Sequence, residues 1–152
     1  MKKNLLQSEV KEELIARVSK LNPQSAKQWG KMNVNQMLRH LSEGLRIAYG
    51  DVKPSAKKTG WLGQKFMRFI ILKTDVPAPK EKAKTFAEID MVEKGINPPD
   101  FNAEKNQLVD LLKNFPAKQT YHESPMLGKM TTENWARLNY GHMDHHLRQF
   151  GV

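Results

Sequence analysis

Apolar residues recur at threes and fours along most of the chain and rarely alternate at twos, a pattern that predicts helices and argues against strands. From Ser8 to Leu21, the residues Val10, Leu14, Val18 and Leu21 share one face. Asn22-Pro23 stops that helix, because proline lacks an amide and restricts the residue before it. Asn33 is a good N-cap for a second helix running to about Tyr49, where Gly50-Asp51 supplies the stop. Its apolar face reads Met37, Leu41, Gly44, Leu45 and Ala48. A third segment, Trp61 to Lys73, is strongly apolar around Phe66, Phe69, Ile70 and Leu72.

The pattern weakens from Thr74 to Asp100, where Pro77, Pro79, Pro98 and Pro99 punctuate it. This stretch predicts mostly loop, with one short helix near Phe86–Glu93. So long a connection often marks a lid or functional loop. Helical spacing returns from Asn102 to Asn114, on Leu108, Leu111 and Leu112. A second loop, Phe115 to Met130, holds Pro116, Pro125 and Gly128. Thr131 or Thr132 then caps a final helix reaching Phe150. The expected architecture is one all-α domain over residues 1–152, a bundle of four main helices with additional short helices and a long connecting loop.

Composition narrows the chemistry. A chain of 152 residues can bury one core without staples. It has no cysteine, which excludes disulfides, thiolate zinc sites, iron–sulfur clusters and a cysteine nucleophile. Histidine and carboxylate remain as strong metal ligands. The start, MKKNLLQSEVKEEL, is basic without a following apolar run, unlike a secretory signal. No stretch approaches the roughly 18 apolar residues that span a bilayer. A cytoplasmic protein without a membrane partner is expected.

The net charge of +9 is uneven, with +4 on residues 1–52, +7 on 53–84 and −2 on 85–152. The middle of the chain is a basic belt interleaved with Trp61, Phe66 and Phe69. Such a belt can meet nucleic acid, an anionic lipid surface or an anionic small molecule, or it can be a solvated lysine-rich face. Lys57, Lys58, Lys65 and Arg68 would carry a nucleic-acid contact, with the aromatic rings stacking on bases. The spacing of those rings equally suits core packing, and core packing is the expectation.

The candidate chemistry lies in the last helix, in His142-Met-Asp-His145-His146. At one turn's separation His142 and His146 stand about 40° apart on the helix, and two such imidazoles can converge on one ion. The same face carries Trp135, Leu138, Asn139, His145 and Gln149, the last a candidate partner that orients a ligating histidine, while Arg137, Tyr140, Asp144 and Arg148 fall opposite. The histidines thus occupy the stripe predicted to face the core. His145 is an alternative ligand or a neighbour that orients one, and spacing alone leaves His145 and His146 open. His40, on the apolar face of the second helix between Met37 and Gly44, supplies a third imidazole. A lone histidine on an apolar face is commonly a satisfied core residue, and an H-x-x-x-H pair is weakly specific. It is their combination on two inward stripes that points to a three-histidine metal site with open positions for water or substrate. Glu43 is a rim charge or an orienting base. His122, on a predicted loop, reads as a surface histidine. No H-E-x-x-H, P-loop, G-x-S-x-G or dinucleotide fingerprint occurs.

The stretch Trp29-Gly-Lys-Met-Asn-Val-Asn-Gln-Met-Leu-Arg-His40, together with Gly128-Lys-Met-Thr-Thr-Glu-Asn-Trp135 and His142-Met-Asp-His-His-Leu-Arg-Gln-Phe150, resembles the DinB/YfiT-like metalloenzyme superfamily. The resemblance covers the second and last helices well and Thr74–Asp100 poorly. It implies a four-helix bundle, often a homodimer, with a divalent ion held by His40, His142 and His146, and His145 as a neighbour. That ion would be zinc or nickel, with iron or manganese as alternatives. The superfamily includes transferases and an isomerase that use a low-molecular-weight thiol, so the resemblance implies a metal-dependent S-transferase or hydrolase acting on a small-molecule substrate. The alternatives are an anion- or nucleic-acid-binding module built on residues 53–84 and a non-catalytic metal-binding bundle.

Overall fold

The structure, a computed structural model, describes residues 2–55, 59–74, 80 and 86–152. Five α-helices dominate it: α1 (Ser8–Ser19), α2 (Val34–Tyr49), α3 (Trp61–Arg68), α4 (Phe101–Lys113) and α5 (Thr132–Gln149). The caps are those the sequence encodes. Asn33 forms a reciprocal capping box with Gln36, its side chain accepting from the Gln36 amide while the Gln36 side chain accepts from the Asn33 amide. Gly50 ends α2 at φ 76°, a left-handed turn that glycine adopts without steric cost. Thr131 caps α5 and Asp100 caps α4.

Helices α1 and α2 each pack against both α4 and α5. Leu14, Met37, Leu41, Leu45, Leu112 and Met143 are buried where they meet. Polar links fix the pairs. Arg39 of α2 donates two hydrogen bonds to the buried Glu104 of α4, each at 2.8 Å. Arg17 of α1 reaches Asp144 of α5 at 2.9 Å.

Three local features depart from the expected pattern. Glu123–Ser124 (β1) and Gly128–Lys129 (β2) pair antiparallel, too briefly for period-two alternation to show in the sequence. The segment near Phe86–Glu93 forms only a 3₁₀ turn, Ala87–Ile89, followed by further turns. The third helix changes to a π-type turn over Phe69–Lys73.

The expected core role of Trp61, Phe66 and Phe69 is wrong: all three are exposed, and no residue of α3 is buried. Polar contacts hold this helix to its neighbours. Arg68 donates to the carbonyls of Leu127, at 2.9 Å, and Lys129, and Thr59 donates to the Pro125 carbonyl at 2.9 Å. Met67 and Ile71 alone pack inward from this segment against the core. Lys57, Lys58, Pro77 and Pro79 lie outside the described residues. No helix among the described residues is long and apolar enough to cross a membrane.

Candidate metal centre

His40 sits in the middle of α2, 2% exposed. Its Nδ1 lies 2.7 Å from the carbonyl oxygen of Ile89, the last residue of the 3₁₀ turn. A carbonyl only accepts, so Nδ1 carries the proton and Nε2 presents its lone pair. His146 is held in the same way from α5. Gln149 donates its Nε2–H to the Trp29 carbonyl at 2.6 Å, which identifies its Oε1 as the acceptor 2.7 Å from His146 Nδ1. The Nε2 of His146 is thereby freed as well. Second partners of this kind fix the tautomer and aim of ligating histidines.

The three rings converge. His40 Nε2 and His142 Nε2 are 2.7 Å apart. The centroids of His40, His142 and His146 stand 4.7–4.9 Å from one another, the rings nearly perpendicular. One ring nitrogen from each lies within 4.8 Å of those of the others, so the three could hold a metal ion. Gly44 permits this approach. A Cβ there would lie 3.1 Å from His142 Nδ1 and 3.2 Å from its Cε1, closer than ordinary van der Waals contact. The glycine lets the His142 ring lie against the α2 backbone.

Electrostatics favour neutral imidazoles, the form that coordinates a metal. Burial pushes His40 below the usual histidine range, against the opposing pull of its bond to Ile89. Burial, reinforced by the other histidines, holds His142 well below it. Burial and the neighbouring His40 bring His146 down to about 3, despite its bond to Gln149. This donor set fits a divalent ion of borderline softness, with three nitrogens available and two of them already oriented.

The structure separates the two histidines that spacing left open. His145 lies outside the triad, half-buried, its ring edge-on to Trp29 at 5.9 Å and to His146 at 5.0 Å. The Glu43 carboxylate is engaged by Arg46 at 3.1 Å and Arg39 at 3.5 Å. Among the described residues no contact joins it to the imidazoles. His122 is exposed beside Tyr121.

The inward stripe of α5 also needs correction. The buried residues are Trp135, Ala136, Asn139, Met143, Leu147 and Gln149, so the core-facing arc still contains the positions of His142 and His146 but is turned toward Met143 and Leu147, leaving Leu138 and His145 outside it. The supposed far side is not free, because Asp144 and Arg137 bind Arg17 and the Lys3 carbonyl. Sequence reasoning missed Ile89, whose contribution is a backbone carbonyl that no side-chain pattern marks. It also missed the steric role of Gly44, although the residue's place one turn after His40 was visible.

The chain matches, over residues 1–151, the model of the family described as protein of unknown function DUF1569, and it belongs to that family. No curated protein and no solved structure matches it.

Proposed function

We propose that this protein is a metal-dependent enzyme of the DinB/YfiT type, a four-helix bundle in which His40, His142 and His146 bind one divalent cation, zinc or nickel before iron or manganese. The observation that carries the reading is the convergence of three imidazole nitrogens within 4.8 Å of one another. Two of the three rings are aimed by dedicated acceptors, Ile89 O and Gln149 Oε1. A histidine buried only for packing needs no such arrangement with two others, since buried polar groups cost about 1–3 kcal/mol when unpaired. The packing of α1 and α2 against α4 and α5 supports the bundle.

Three protein ligands leave coordination positions for a small molecule. When bound there, the ion supplies Lewis acidity that favours the deprotonated form of a thiol or water. The chain's own part is to bury three imidazoles so that they stay neutral and to fix two of their tautomers. The resemblance in α2 and α5 extends this to a low-molecular-weight thiol and an S-transferase reaction. Protein reconstituted with each candidate metal, given such a thiol and an electrophile, should consume the thiol faster than the His142→Ala variant. Equal rates for every metal would refute the enzymatic reading.

A further inference from the structure

Helix α3 is inverted with respect to ordinary amphipathic packing. Trp61, Leu62, Phe66 and Phe69 are 65%, 71%, 64% and 61% exposed. At about 100° per residue they fall, with Lys65, on one outward arc, and Gly63, Gln64, Met67 and Arg68 face the protein. Lys65 lies over the Trp61 ring, 4.1 Å from its centroid. The segment from Thr59 to Thr74 contains three basic residues and no acidic one. Its inward side is tied down by Arg68 on the Leu127 and Lys129 carbonyls. A contiguous apolar ridge of this kind on a folded protein marks a contact surface.

We propose that α3 and the turn after it form a membrane-docking ridge, which lays Trp61, Leu62, Phe66 and Phe69 into the headgroup region of an anionic lipid surface while Lys65 and Lys73 meet the lipid phosphates. Aromatic and leucine side chains beside lysine are the composition of helices that lie in the plane of a bilayer surface. Charge and size argue against a second copy of the chain as occupant. Two such ridges would set lysines against lysines with no carboxylate between them. The ridge spans eight residues of α3 and five of the turn. At about 20 Å long and about 10 Å wide it offers a few hundred Å², short of the roughly 800 Å² per partner of a stable interface. Phosphate contacts alone would suit nucleic acid, but Leu62, at the centre of the ridge, gains nothing from a base or a phosphate. The basic belt around these rings admits an anionic lipid partner in the sequence, but the amphipathic spacing of the rings themselves predicts burial. The proposal is independent of the metal centre.

The test is co-sedimentation of the full chain with phosphatidylcholine vesicles, with and without phosphatidylserine. Parallel samples carry Phe66→Asp, Leu62→Asp and Lys65→Glu, whose side chains are exposed and whose helix content is checked by circular dichroism. The wild type should bind the anionic vesicles, with a blue shift in tryptophan emission that Trp61→Phe removes. Each Asp variant should bind roughly tenfold or more weakly, and Lys65→Glu or added salt should weaken binding too. Four outcomes would overturn the proposal: no binding to either vesicle, or equal binding by Phe66→Asp, or a homodimer that Phe66→Asp dissolves without vesicle binding, or a salt-sensitive shift of duplex DNA without vesicle binding.

Discussion

Replacing Gly44 by alanine sets two calculable effects against each other. Alanine in a helix interior is favoured over glycine by about 1 kcal/mol, so the change by itself should raise stability. The added methyl, however, would stand 3.1 Å from His142 Nδ1 and 3.2 Å from Cε1, with Asn139 Oδ1 at 3.6 Å. The ring must retreat by a few tenths of an ångström. It has little freedom to do so, because its far edge lies 2.7 Å from His40 Nε2 and its own helix is packed against α2. A ring forced off its rotamer costs about 0.5–1.5 kcal/mol, so the folding stability of the metal-free protein should change little. The metal centre responds differently, since displacement of an oriented ligand typically weakens a metal by about 10–100-fold. Gly44→Ala should therefore keep its urea midpoint in chelator and lose affinity in a competition titration with a chromogenic chelator. Wild-type affinity in Gly44→Ala would refute the steric account, as would a large loss of stability with affinity intact.

Other perturbations follow from the same contacts. Gln149→Leu removes the acceptor that aims His146 and should weaken metal binding by about 10–100-fold, read by the same titration; undiminished affinity would show that the Gln149 bond is incidental. Because His40, His142 and His146 all have lowered pKa values when folded, the unfolded chain takes up protons first as pH falls. Stability in chelator should be constant above about 6.5 and decline from there toward about 3, the value for His146. The slope can reach about 1.4 kcal/mol per pH unit for each such group. Urea midpoints at several pH values measure this, and a flat profile below neutrality would contradict the burial argument. Glu104→Ala leaves Arg39 without its main partner between α2 and α4. It should cost about 1–3 kcal/mol, less than for a fully buried pair because a third of the Arg39 side chain reaches solvent.

Much of the helical layout was legible because local chemistry and packing agree there. The Asn33 cap, the Gly50 stop and the threes-and-fours spacing of Val10, Leu14 and Val18 all act within a few residues of one another. His40 and the α5 histidines were legible for the same reason, since each sits at a helical position whose direction the apolar neighbours define. What could not be read depends on distant partners. An amphipathic pattern says where an apolar face lies and not what covers it, so α3 looked like a core helix. Its outward orientation comes from Arg68, whose carbonyl partners Leu127 and Lys129 are far away in sequence. The stripe of α5 was misjudged by part of a turn because α1 packs on the side assigned to solvent, through Arg17 and Asp144. Ile89 enters as a carbonyl brought to His40 by a 3₁₀ turn, a position that only tertiary structure fixes.

The central claim is that three histidines make one metal site, and elemental analysis tests it most directly. The protein should be purified without a histidine tag or chelator, beside His40→Ala and His142→Ala. The account predicts close to one divalent metal per chain in the wild type and none in either variant, with helix content preserved by circular dichroism. It would be contradicted by wild-type protein that holds no metal and takes up none from added zinc, nickel, iron or manganese, or by variants that keep the wild-type stoichiometry.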